Sequence, residues 1–106
     1  MPKFSDSKIS YVHQDKLWDV FCGVLLKMHT SDEMKRFLKD LLNRQERLML
    51  VRRLQIAEML ESGLTYEEIM KKIGAGAVTI ARVHRWLKFG RNGYRQAIIH
   101  FRKLKS

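Results

Sequence analysis

Apolar positions recur at helical spacing in successive blocks along this chain. The first block runs from Tyr11 to Met28. Leu17, Val20, Phe21, Val24, Leu25 and Met28 fall at i, i+3, i+4, i+7, i+8 and onward, with Trp18 beside them. That is the stripe of a strongly amphipathic helix. Thr30 with Glu33 then forms a capping box and starts a helix to about Leu42, whose buried face is Met34, Phe37, Leu38, Leu41 and Leu42. Asn43 with Glu46 repeats the device and starts a longer helix, about Arg44 to Ser62. Its apolar residues, Leu48 to Val51, Leu54, Ile56, Ala57, Met59 and Leu60, fall nearly all round when placed at 100° per residue. A helix apolar on most sides is surrounded by protein. In so short a chain this predicts a central strut with partners from two subunits. Gly63 is its C-terminal cap candidate.

The stretch Leu64–Lys88, LTYEEIMKKIGAGAVTIARVHRWLK, changes character. Thr65 and Glu68 make a further capping box. Ile69 and Ile73 give the next helix one apolar face, opposite Glu67, Lys71 and Lys72. Gly74-Ala75-Gly76 breaks it, and either glycine can supply the positive φ of a sharp turn. In the following helix Ala77, Ile80, Val83 (or His84) and Leu87 are expected inward. Val78, Thr79, Arg82, Arg85 and Trp86 make the other face. Two helices joined by a short glycine turn, the second small at its start and basic further on, read as a helix-turn-helix. A loop with Gly90 and Gly93 leads to a closing helix, Tyr94 to Leu104, with Tyr94, Ala97, Ile98, Phe101 and Leu104 inward. Residues 1–10 are polar and read as loose.

KKIGAGAVTIARVHRWLK resembles the reading head of the Trp repressor family, in which a Gly-Ala-Gly turn leads into a short recognition helix. It is most similar to the Trp-repressor-like group called YerC/YecD. The run LLNRQERLMLVRRLQIAEMLESG resembles the family's long central helix, so the likeness spans about Leu41 to Lys88. The resemblance implies an all-α fold of about six helices forming an intertwined homodimer. It also implies a DNA-binding transcriptional regulator, a repressor of bacterial type. The family archetype binds L-tryptophan between two arginines, which match Arg53 and Arg82. Where the family has glycine after the second arginine this chain has Val83, where it has serine near the ligand's amino group this chain has Trp86, and its threonine before the central helix becomes Asn43. Valine fills the indole's space, and Trp86 is placed to occupy the site from within. Free tryptophan is therefore not expected as a co-repressor, and the effector, if there is one, is unidentified.

At 106 residues the chain reads as one domain, 1–106, with dimerisation helices over 1–63, the helix-turn-helix over 64–88 and a basic helix over 89–106. Its small core makes dimerisation reasonable on size alone. Leu17, Trp18, Phe21, Leu25, Leu50, Leu54 and Ala57 are the candidate dimer core. The lone Cys22 forms no intrachain disulfide, and a reducing cytoplasm suits it. No apolar run approaches a membrane span, and MPKFSDSKIS lacks a signal peptide's apolar core.

The net charge of +10 is concentrated: residues 64–106 hold ten Lys/Arg against two Asp/Glu. Such a half fits a polyanion partner, double-stranded DNA first. The groove floor is assigned to Ala75, Ala77, Val78 and Thr79, one of Ala77 and Val78 being core, with Gly76 and Arg82 also counted as DNA-binding. Lys71, Lys72, Arg85 and Lys88 are phosphate candidates. The basic residues from Arg91 onward either touch phosphates or solvate the tail. His13, His29, His84 and His100 are scattered, no zinc spacing occurs, and no nucleophile or phosphate-cradling motif is present, which argues against an enzyme. Two other readings stay open: a module binding structured RNA or any DNA through charge, and a protein-interaction adaptor that uses the helix-turn-helix for packing.

Overall fold

The structure is a computed structural model and describes residues 10–106. Of the segment expected to be loose, residues 1–9 lie outside that range. Six helices follow one another: α1 (Tyr11–Leu26), α2 (Ser31–Leu41), α3 (Arg44–Glu61), α4 (Tyr66–Ile73), α5 (Ala77–Phe89) and α6 (Gly93–Lys105). The described residues contain no strand, so the fold is all-α, as the helical spacing predicted.

The caps explain where the helices start. The Asn43 side chain accepts from the Glu46 backbone N–H, and the Glu46 carboxylate accepts from the Asn43 N–H, both at 2.9 Å. Thr65 and Glu68 reciprocate in the same way at 3.2 and 2.9 Å. Each pair satisfies two donors that a helix start leaves free. Thr30 accepts from the Glu33 N–H at 3.1 Å, and Ser10 accepts from the His13 N–H at 3.2 Å. The turns after α3 and α4 need left-handed backbone, supplied by Gly63 (φ 90°) and Gly74 (φ 68°).

The described chain divides into two compact units, 10–41 and 42–106. The central helix therefore groups with the helix-turn-helix rather than with the N-terminal helices. In the first unit Phe21 of α1 meets Trp18 at a ring separation of 5.4 Å and Phe37 of α2 at 6.3 Å. No residue of α1 or α2 is fully buried. The second unit holds the core: Ile56 and Ala57 of α3, Ile69 of α4, Ala75 of the turn, Ile80, Val83 and Leu87 of α5, and Ile98 of α6. Leu54, Met59, Leu60, Leu64, Tyr66, Ile73 and Tyr94 pack around it.

Ala57, Leu41 and Leu104 differ from their expected placement. Ala57, assigned to a dimer interface, is fully enclosed by its own chain's core and has no surface to offer a second copy. Leu41 is exposed, and Leu104, in the last turn of α6, is 88% exposed. Leu48 to Val51, on the first half of α3, are exposed within one chain.

Candidate nucleic-acid interface

The site is built from the turn outward. Thr65 and Glu68 fix the start of α4, and the Thr65 N–H and hydroxyl hold the Glu68 carboxyl below its ordinary value. Gly74 ends the helix in left-handed backbone, its N–H donating to the Met70 carbonyl at 2.9 Å. Gly76 then returns to extended backbone and caps α5 without a side chain. The first-turn amides of α5 thus meet no capping side chain, and a helix start in that state favours an anionic oxygen.

Ile80, Val83 and Leu87, at i, i+3 and i+7, turn one face of α5 into the core. The opposite face is exposed and carries Val78 (78% exposed), Thr79, Arg82, Arg85 and Lys88. Lys71 and Lys72 are exposed in the last turn of α4, and Lys71 lies 4.0 Å from Glu67, an i, i+4 pair at the surface. Two assignments are corrected here. Ala75 does not belong to a groove floor: it is 8% exposed and part of the core, because the turn folds its methyl under α5. Ala77 is not core, and both Ala77 and Val78 are exposed, since the first turn of α5 projects beyond the residues that cover Ile80. The exposed surface at the start of α5 is therefore Gly76 to Thr79, with cations on either side.

Arg53 and Arg82, matched by resemblance to a ligand clamp, do line one cavity of about 250 Å³. The sequence reading missed two of its walls, Met49 and Arg52, which α3 brings to the turn Gly74–Gly76 and to Val78 and Thr79. Neither residue invoked to block this cavity reaches it. Val83 sits about 100° round the helix from Arg82, which turns it into the core at 2% exposure. Trp86 is a turn further along and lines a separate hollow with Leu54, Arg91 and Tyr94. Burial raises the Tyr94 hydroxyl above its ordinary value, opposed in part by the charge of Arg53.

The described residues contain no His/Cys/Asp/Glu group able to hold a metal, and no helix long and apolar enough to cross a membrane. The sequence matches the Trp repressor protein family over residues 16–101. The chain belongs to the Trp repressor family. That family is one of helix-turn-helix DNA-binding regulators rather than enzymes. Within it, the chain is 38% identical over 80 residues to the uncharacterized protein YerC of Bacillus subtilis, covering 76% of this chain and 77% of that protein. A crystal structure described as a "putative Trp repressor" from Staphylococcus aureus matches with a TM-score of 0.71 at 30% identity, over 94% of this chain and 96% of that one. A TrpR like protein from Eubacterium eligens matches equally, TM-score 0.71 at 30% identity, over 91% and 95%. The Trp repressor family assignment thus reaches well beyond the Leu41–Lys88 stretch that carried the resemblance.

Proposed function

We propose that this chain is a sequence-specific DNA-binding transcriptional repressor that works as a homodimer in the bacterial cytoplasm. The supporting observation is the first turn of α5: Ala77, Val78 and Thr79 are all exposed, follow a glycine cap, and share their surface with Arg82, Arg85 and Lys88. A helix start with small side chains enters the major groove closely. Val78 suits a thymine methyl, Thr79 a base edge or a phosphate, and the cations of α4 and α5 the phosphates on either side.

Dimerisation is supported by apolar surface. Leu17, Trp18 (62% exposed), Val20 and Val24 of α1, and Leu48 to Val51 of α3, are all left open in the single chain. A two-fold pair of heads reads a pseudo-palindrome with half-sites about one helical turn (~34 Å) apart.

Free L-tryptophan is proposed not to be the co-repressor, and the support differs from that read in the sequence. The Arg53–Arg82 cavity is open, but α4 and α5 are already held together by the chain's own Ile69, Ile80 and Val83, so no ligand is needed to bring them into contact. Titration calorimetry is expected to show no one-per-subunit micromolar binding of L-tryptophan.

Selection of random duplex DNA at physiological salt, with the solution mass recorded, tests the main reading. One pseudo-palindromic motif bound by a two-chain species is the expected result. Binding without a motif that collapses as salt rises belongs to a charge-driven nucleic-acid module. Unchanged activity after charge reversal at Arg85 and Lys88 belongs to an adaptor.

A further inference from the structure

Tyr66 is the first residue of α4, and His84 lies midway along α5. Their side chains meet across the helix-turn-helix: the Tyr66 hydroxyl is 2.9 Å from His84 Nδ1. The rings stand edge to face, 5.7 Å between centroids and 69° between planes. Both residues are half-buried. In the tautomer with the proton on Nε2, the Tyr66 O–H donates to Nδ1.

The placement matters more than the bond alone. At one end α4 and α5 are joined by the Gly74–Gly76 turn. Tyr66 is at the other end of α4, which is eight residues long, or about 12 Å. Between them lie Ile69, Ile80 and Val83. Apolar packing resists separation of the helices but is non-directional, so it tolerates a small change of crossing angle. A hydrogen bond is directional, and one placed farthest from the turn is most sensitive to that angle.

We propose that Tyr66 and His84 are a positioning pair that fixes the angle between α4 and α5, and so determines how sharply the head discriminates its operator. This rests on the DNA-reading proposal above. Specific binding requires the first turn of α5 in the groove and the cations of α4 on phosphates at the same moment, which only one angle allows. Non-specific binding is set by phosphate charge and is indifferent to the angle. The pair lies outside the proposed base and phosphate contacts. It also occupies the Tyr66 hydroxyl internally, which takes it out of any contact with the DNA backbone.

The test is a double-mutant cycle with Tyr66→Phe, His84→Leu and both together. Affinity is measured for the selected operator and for a scrambled duplex at one salt concentration, with thermal melting alongside. Tyr66→Phe keeps the ring and its edge-on packing, so the fold is retained. The expected result is an operator affinity about five- to tenfold weaker, the fold-change of an ordinary net hydrogen bond, with the scrambled duplex unchanged within about twofold. The double variant should then be no worse than His84→Leu. His84→Asn, whose amide lies where Nδ1 does, should retain operator affinity. Additive losses, equal losses on both duplexes, losses that follow the melting temperature, or no loss at all would overturn the pair. If the unmodified protein itself prefers no operator, the DNA-reading proposal fails and the pair with it. If it does prefer one and Tyr66→Phe matches it, the pair alone fails.

Discussion

Gly74 and Gly76 stand two residues apart under different constraints. Gly74 is left-handed at φ 68°, a conformation that costs an alanine roughly 1 kcal/mol or more. Gly76 has ordinary extended backbone at φ −79°, and a Cβ placed there meets nothing within 4 Å. Gly74→Ala is therefore expected to lower stability by about 1 kcal/mol in urea unfolding. Gly76→Ala should cost well under that, yet weaken operator binding, because its new methyl stands where the DNA is expected. The sequence showed that this turn needed a glycine but not which one. It also misplaced the neighbouring alanines. Ala77 is three residues before Ile80 and shares its face on a helical wheel, but no core residue extends far enough to cover it. Ala75 is off the wheel altogether and tucks under. Periodicity finds the face of a helix and does not find where the cover ends.

At the scale of elements, the starts of the helices were legible because a cap is a local device: Asn43 with Glu46 and Thr65 with Glu68 are three residues apart and behave as read. Contacts between distant elements were not. The clearest is a clamp between the end of α3 and α6. The Ser62 hydroxyl donates to Glu58 Oε2 at 2.6 Å, Arg102 Nε donates to the same oxygen at 3.0 Å, and Arg102 Nη2 donates to Ser62 Oγ at 3.0 Å. Arg102 is 44 residues from Glu58, and nothing in the spacing announced it. The Ser62 hydrogen bond, then Arg102, holds the Glu58 carboxyl below its ordinary 4.5. A depressed carboxylate contributes stability that is fully present above its unfolded value and lost as pH falls through the folded one. Thermal melting should thus show a loss below about pH 4.5 that Glu58→Gln reduces. Arg102→Ala should cost about 1 kcal/mol at neutral pH, with α6 loosening first in hydrogen exchange.

For the whole molecule, the cationic excess lies in residues 64–106, and large apolar side chains are open on α1 and the first half of α3 as well as at Phe89, Ile99 and Leu104. The first property suits a polyanion and the second a protein surface, and a homodimer with two heads uses both. Leu50→Glu places a charge on the open apolar stretch of α3 without touching Ile56 or Ala57. It should shift the mass from two chains to one in sedimentation, with helicity retained. Operator affinity should fall sharply, because one head then reads one half-site. The family was legible from Leu41–Lys88, and the all-α class from helical spacing along the whole chain. The open Arg53–Arg82 cavity was not, because Val83 and Trp86 were judged by their place in the motif rather than by the direction α5 gives them.

On the proposed function, the first turn of α5 reads bases while the surrounding cations hold phosphates. The most direct test is the salt dependence of operator affinity for the unmodified protein and for the Val78→Ala/Thr79→Ala double variant. The variant is expected to lose most of its preference for the operator over a scrambled duplex and to keep the same slope of log affinity against log salt. An undiminished preference, or a slope that flattens as though phosphate contacts had been removed, would contradict it.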